Sequence, residues 1–258
     1  MNNLIIESTN SFLEGINTNP YNNRGVEYNM YSYASLQQSE VGYQIVGDIN
    51  SPVGSGDSFP IPDGFSASLS EGDGAPYIGT IEDSGTKYIA LTDCSGYIIY
   101  IVAQANEVAM NELVQGAING RGHMQPWPSA AQIAQYAGGQ NWQQVLDSDG
   151  SVDFGLIQPG DIIAWDESGN TQDTGHVAIA LSPSVQQSDG SYNVEISDST
   201  VLQHLNNQRN GIKKGNDPTG VGKGIIGLKS VDGALQSNFY PGTDPWVEHP
   251  HINILRLV

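Results

Sequence analysis

The spacing of apolar and polar positions changes character along the chain. Residues 1 to about 50 are polar and Asn-rich, with a tyrosine cluster (Tyr28, Tyr31, Tyr33) and one strand-like run, Val41 to Ile45. From Ser51 to Gly74, Gly, Ser, Pro and Asp break both the helical and the strand period, which predicts a linker or a long irregular loop. Beyond it, Thr92 and Asp93 are good capping residues. They precede apolar positions at Ile98, Ile101, Val102, Ala105, Val108, Ala109 and Leu113, whose steps of three and four predict one helix stopping near Gly116. A shorter helix is expected over Ser129 to Ala137, ended by Gly138 and Gly139. The texture then becomes strand-like, with short runs at Asp161 to Trp165, His176 to Leu181, Tyr192 to Ile196 and Ile252 to Leu257. Ser188-Asp189-Gly190-Ser191 is a hairpin signal between two of them. A helix followed by sequential strands predicts an α+β domain with a largely antiparallel sheet. The expected division is a polar arm and linker over residues 1–74 and a compact domain over 75–258.

Composition narrows the function classes. The 258 residues carry 28 acidic and 9 basic side chains, a formal net charge of −19. Such a surface repels phosphates, so a groove-filling nucleic-acid binder is excluded. No apolar run approaches the roughly 18 residues that a bilayer span requires. The segment from Met1 to Gly15 holds no Lys or Arg and only a short apolar stretch, Leu4 to Ile6. A cleaved secretory signal is therefore not expected. Scarce lysine and abundant Asn, Gln, Ser and Gly suit an exported bacterial protein that leaves by another route, or else a cytoplasmic one. A single cysteine excludes an intramolecular disulfide framework and a multi-cysteine zinc site.

That cysteine, Cys94 in Thr92-Asp93-Cys94-Ser95-Gly96, falls at the start of the predicted helix. Unpaired backbone N–H groups and the helix dipole favour a thiolate there. A structural reading, a free cysteine acting as a small hydrophobe, stands beside this one. A nucleophile needs a base, and His176 follows a Gly turn at the start of an apolar strand, where an imidazole is rigidly placed. Asp198, at the end of the next strand, is positioned to accept from the second ring nitrogen. It reads equally well as a turn-capping carboxylate. His204 is a rival third member that otherwise reads as a surface or cleft residue.

Three blocks in order carry a resemblance. Asp93-Cys94-Ser95-Gly96, Gln158-Pro159-Gly160-Asp161 and Thr174-Gly175-His176-Val177 resemble the NlpC-type cell-wall cysteine peptidases of the papain-like superfamily. The resemblance covers about residues 88 to 200. It implies a Cys-bearing helix packed on an antiparallel sheet, with Cys94 as nucleophile, His176 as base and Asp198 as orienting residue. No cofactor or metal is implied. The separation of Cys94 from His176 is longer than the family's, with an insertion around Gly120 to Gln144. The tyrosine that the family places before the nucleophile has only imperfect matches, Tyr77 and Tyr88, of which Tyr88 is kept as a substrate-binding candidate.

Other motifs are less specific. Lys213, Lys214, Lys223 and Lys229, four of the five lysines, fall together in the Gly-rich segment from Gly211 to Lys229. They read as a solvated loop or as a patch that captures carboxylates of an acidic peptide, with Lys213, Lys214 and Lys223 as binding candidates. Asp147 to Asp153 resembles a fragment of a calcium loop without its Gly and Glu, and His249-Pro250-His251 lacks a partner metal motif. The leading expectation is a cysteine peptidase or amidase acting on peptidoglycan stem peptides. A deamidase or acyltransferase toxin acting on a protein, and a secreted non-enzymatic binding protein, are the alternatives. Secretion machinery or an inhibitor protein are the further partners expected.

Overall fold

The computed structural model describes residues 2–18, 36–39, 42–45, 65–68, 79–83, 86–91, 94–117, 128–167, 175–200, 204–208, 213–214, 217–218, 220–242 and 245–258. For those from 15 to 91 and from 213 to 220 it gives the backbone alone. Helix α1 (Asn2–Thr18) opens the chain. Strands β1 (Leu36–Ser39) and β2 (Gly42–Ile45) pair antiparallel, as do β3 (Phe65–Ser68), β4 (Gly79–Asp83) and β5 (Thr86–Leu91) in turn. Helices α2 (Cys94–Ala105), α3 (Glu107–Ala117) and α4 (Ala130–Ala134) follow. The remainder is β6 (Trp142–Gln144), β7 (Ile162–Trp165), β8 (His176–Ala180), β9 (Val185–Gln186), β10 (Tyr192–Thr200), β11 (Lys213–Lys214), β12 (Asp217–Pro218), β13 (Gly220–Val231), β14 (Ala234–Asn238), β15 (Val247–His249) and β16 (Ile252–Leu257). The protein is α+β, with helices and an antiparallel sheet.

The single helix expected from Cys94 to Gly116 is two. Asn106 interrupts it, and its side chain accepts the backbone N–H of Ala109, which makes Asn106 the cap of α3. The break turns Val108, expected in the core, out to 68% exposure. At α4, Ser129 and Gln132 form the cap, with Gln132 Oε1 accepting the Ser129 N–H. The Gly-rich segment expected to be a loop is mostly strand β13, paired with β10 from Gly220 to Leu228 and with β14 from Gly227 to Val231.

Among the described residues the main sheet has nine strands, in the order β15-β14-β13-β10-β8-β7-β16-β6, with β9 paired to β10. Its two flanks meet. β15 and β16 are separated only by Pro250 and His251, a reach of about 11 Å at most, yet β15 pairs with β14 and β16 with β7. His249 Nδ1 lies 3.0 Å from the Asp166 carbonyl, and the His251 N–H donates to Asp166 Oδ1. The sheet thereby curls so that the end of its β15 edge meets the end of β7.

Alternation along the strands divides the core in two. Ile162, Ala164, Val177, Ile179, Leu255 and Leu257 face outward under the helices, packed with Ile98, Ile101, Val102 and Ile133. Ile163, Trp165, Ala178, Ala180, Val194, Ile196, Ile226, Leu228 and Ile254 fill the interior. α1 belongs to the outer layer. Ile5 and Leu13 are buried in it, and Phe12 stacks against Tyr97 and Tyr100 of α2. The core thus reaches upstream of the expected boundary at residue 75, because α1 carries an apolar stripe within a polar composition. Residues 51–64 and 69–74 of the expected linker lie outside the described residues.

Candidate active site

Cys94 is the first residue of α2, half-buried against the outer core. Thr92 and Asp93, expected to cap it, lie outside the described residues. α2 packs across β8 and β10. One turn after Cys94, the Tyr97 hydroxyl meets the Ser197 hydroxyl at 2.8 Å, a buried bond that fastens the first turn of α2 to β10. Ser197 therefore faces α2, and Asp198, the next residue, faces the opposite side of the sheet.

His176 begins β8 directly after Gly175, whose φ is +105° and whose missing Cβ would lie 2.0 Å from the Trp165 carbonyl oxygen. Only glycine fits that turn. His176 stands opposite Trp165 in the ladder, so both rings point inward, 5.2 Å apart, with Phe239 edge-on to the imidazole. Asp198 lies on the neighbouring strand and is fully buried. Its Oδ2 is 2.7 Å from His176 Nε2, and the same oxygen is 3.0 Å from His204 Nε2. His204, expected at the surface or in a cleft, is 1% exposed. The burial has a backbone cause: Leu205 bridges Ile225 at the edge of β13 beyond the end of β14, and this turns its neighbour towards the face of the sheet that carries Asp198.

The structure thus joins two of the predicted site residues, His176 and Asp198, and adds His204. Cys94 lies outside this group, whose three nitrogen and oxygen atoms all fall within 4.8 Å of one another. A buried carboxylate demands compensation, and two imidazoles on one oxygen supply it. All three are metal-ligating residue types. Around a four-coordinate zinc, however, ligand atoms stand about 3.3 Å apart, from bonds of about 2.0–2.1 Å. His176 and Asp198 are hydrogen-bonded at 2.7 Å, closer than two ligands of one zinc would stand, and His204 Nε2 meets the same oxygen at 3.0 Å as an ion-pair contact outside hydrogen-bond geometry.

No protein-family profile, curated protein or solved structure matches the chain.

The other candidates are placed as follows. Tyr88 lies on β5, and Lys213 and Lys214 on β11, all with the backbone alone described. Lys223 stands opposite Ser197 in the ladder, on the α2 side of β13. Lys229, on the same face of the strand, rests its Nζ 4.1 Å over the Trp246 ring. Asp161 of the Pro-Gly-Asp block is a fastener: it takes Arg256 at 2.8 and 2.7 Å, Asn2 Nδ2 at 2.7 Å and the Gln158 N–H at 2.8 Å. The calcium-loop resemblance is a hairpin tip in which Asp147 accepts the Asp149 and Ser151 N–H groups. An open groove of about 810 Å³ between α3 and the α4–β6 loop contains none of the candidate residues. Within it, burial pushes the Glu112 carboxyl up, but hydrogen bonds from Asn141 and Tyr136 outweigh that and hold it below the usual range.

Sequence reasoning missed the inward role of His204. A signal existed: Gly222 and Gly224 alternate along β13, and a run of small residues on one strand face leaves room for bulky groups opposite. A Cβ on Gly224 would lie 2.4 Å from the His204 Cβ.

Proposed function

We propose that the protein is a papain-like cysteine hydrolase that cuts amide bonds in bacterial peptidoglycan stem peptides. Cys94 is the nucleophile, His176 the base and Asp198 the residue that orients it. The observation that carries this reading is the buried pair of His176 and Asp198. It stands one residue along β10 from the contact that fastens the Cys94 helix. Because Nε2 is engaged by Asp198, Nδ1 is the nitrogen that serves as base. The reading requires thiol and imidazole to meet round the end of β8, where His176 is the first residue.

The steps follow from these roles. His176 Nδ1 takes the Cys94 proton, and the sulfur attacks the amide carbonyl carbon. The Cys94 backbone N–H, at a helix start, receives the developing oxyanion. The imidazolium, balanced by Asp198, protonates the leaving amine as the C–N bond breaks and a thioester remains. Water, deprotonated by the same Nδ1, then hydrolyses the thioester and releases the thiol. An enzyme with this substrate class works in the envelope, which agrees with the exported character of the composition.

A second reading rests on the position of Cys94 outside the His–Asp–His group. In it the group is a structural network and the protein is a non-enzymatic binder. Alkylation separates the two: at pH 6 a catalytic Cys94 reacts with iodoacetamide faster than free cysteine does, and a structural one does not. For the hydrolase itself, purified wall peptides are incubated with the protein and the products mass-analysed. Wild type is expected to release shortened stem peptides, and Cys94→Ala to lose at least about 1,000-fold in rate. Cleavage by Cys94→Ala within about tenfold of wild type removes Cys94 from the mechanism.

A further inference from the structure

We infer that Ser237 and His249 form a second nucleophilic centre, which takes the acyl group of a small uncharged carboxylic ester. Neither residue has a part in the Cys94 chemistry.

The Ser237 hydroxyl lies 2.7 Å from His249 Nε2, and Nδ1 of the same ring lies 3.0 Å from the Asp166 carbonyl oxygen. A carbonyl only accepts, so Nδ1 holds the ring proton and the Nε2 lone pair receives the Ser237 O–H. Nucleophile, base and the group that fixes the tautomer of the base thus stand in line, which is what an activated serine requires. Burial holds the His249 pKa below 6.5 against the pull of Asp166, so the ring is neutral and can take a proton at pH 7. The imidazolium formed is balanced by the Asp166 carboxylate and by Glu167 Oε1, which lies 3.9 Å from Nδ1.

Ser237 is 2% exposed and His249 4%, but both stand at the rim of the sheet, on the edge strand β15 and its neighbour β14. Val247 is opposite Ser237 in that ladder, hence on the same face, and is 43% exposed. Phe239, two residues along from Ser237, is half-buried. The acyl group therefore reaches Ser237 over the edge strand, past Val247. The walls decide its class. Leu235, Phe239 and Val247 are apolar and suit a short hydrocarbon chain, while Asp166 and Glu167 repel an acyl group that carries a carboxylate. One donor beside the centre is unused: the buried Trp165 indole N–H has no acceptor among the described residues, and its ring packs 5.7 Å from that of His249. A buried donor left so is costly, and an ester carbonyl is the kind of acceptor it lacks. In the reaction, Ser237 Oγ bonds to the acyl carbon as its proton passes to Nε2. The C–O bond to the leaving alcohol breaks, and Nε2 returns the proton to that oxygen. Water then attacks the acyl-serine, gives its proton to Nε2, and releases the carboxylic acid as Oγ takes the proton back.

The test applies two probes to the full wild-type chain at pH 7 and locates their adducts by peptide mass mapping. An alkyl fluorophosphonate, which loses fluoride to an activated serine, should phosphonylate Ser237. Brief exposure to 4-nitrophenyl acetate, stopped in acid, should leave an acetyl group on the same residue. His249→Asn keeps an N–H for the Asp166 carbonyl but has no base at Ser237, and should be phosphonylated at least about 100-fold more slowly. Ser237→Ala should lose both adducts. Absence of both adducts from the wild-type chain, their location on Cys94 or any other residue in place of Ser237, or equal phosphonylation rates in wild type and His249→Asn overturns the assignment. The mapping needs no substitution, so it decides even if the two variants fail to fold. The adducts are read at Ser237 and wall-peptide cleavage at Cys94, so failure of one centre leaves the other as it stands.

Discussion

Two imidazole nitrogens converge on a single oxygen of Asp198, and this decides which substitutions the residue tolerates. An Asn amide oxygen can stand where Oδ2 stands, so Asp198→Asn preserves the orientation of His176 while removing the charge. Asp198→Ala removes both, and leaves the buried His176 N–H without its acceptor. The expected loss in kcat/KM is about 2–4 kcal/mol for Ala, on the scale of removing one electrostatic donor, and clearly less for Asn. If Asn and Ala are equally damaging, charge and not orientation is the contribution of Asp198. At this scale the sequence was informative where chemistry sits next to turn signals. Gly175 before His176 and the strand ending at Asp198 marked two members of the group. His204 was harder to read: its inward direction depends on a bridge between Leu205 and Ile225, and the one hint, the alternating glycines of β13, lies far from it in sequence.

At the scale of elements, the closure of the β15 edge onto the end of β7 rests on His249. Its Nε2 meets the Ser237 hydroxyl at 2.7 Å and its Nδ1 the Asp166 carbonyl at 3.0 Å, joining β14, β15 and the end of β7. A carbonyl only accepts, so Nδ1 carries the proton and Nε2 accepts from Ser237. Burial holds the His249 pKa below its usual 6.5, against the opposing pull of the Asp166 carbonyl and carboxylate. The unfolded chain therefore takes up this proton at a higher pH than the folded one. The resulting stability is fully present above about pH 6.5 and falls as pH drops through 6.5 towards the folded value. Ring-proton NMR should give His249 a midpoint below 6.5. His249→Asn, whose amide N–H still reaches Asp166, should show a shallower fall in Tm between pH 7 and pH 5 than wild type. An ordinary midpoint and an unchanged slope would show that the closure does not depend on a neutral ring. The strands flanking this junction were partly readable. β7, β8, β10 and β16 announced themselves as apolar runs, because they are buried on one or both faces. β13 did not: its glycines, which serve the space around Asp198 and His204, imitate the composition of a loop. Asn106 likewise hid a helix break inside a continuous apolar period.

For the molecule as a whole, the question is how much of the segment from Met1 to Gly74 belongs to the fold. Composition argued for an arm that buries little, and the polar average over that segment is real. An average conceals a stripe, however. Ile5 is fully buried and Leu13 nearly so, while Leu4 is 42% exposed. The N-terminal end of α1 is pinned by Asn2, whose Nδ2 donates to Asp161 and whose Oδ1 accepts the Leu257 N–H. Asp161 in turn carries the bidentate Arg256 of β16, so helix, turn and final strand share one carboxylate. Adjacent residues on α1 thus have opposite environments, which supplies an internal control. Ile5→Ala should cost about 2–4 kcal/mol by urea unfolding, the loss for a large apolar side chain removed from a core. Leu4→Ala should stay within about 0.5 kcal/mol, as for most surface changes. The same contrast predicts that a chain begun at Gly74 unfolds at a lower urea midpoint than the full one, since it exposes Tyr97 and Tyr100 where Phe12 packs. If the Ile5 and Leu4 variants have the same small effect, α1 does not dock on α2 in solution. The main sheet, its helices α2 to α4 and the His–Asp–His group then stand without the first helix.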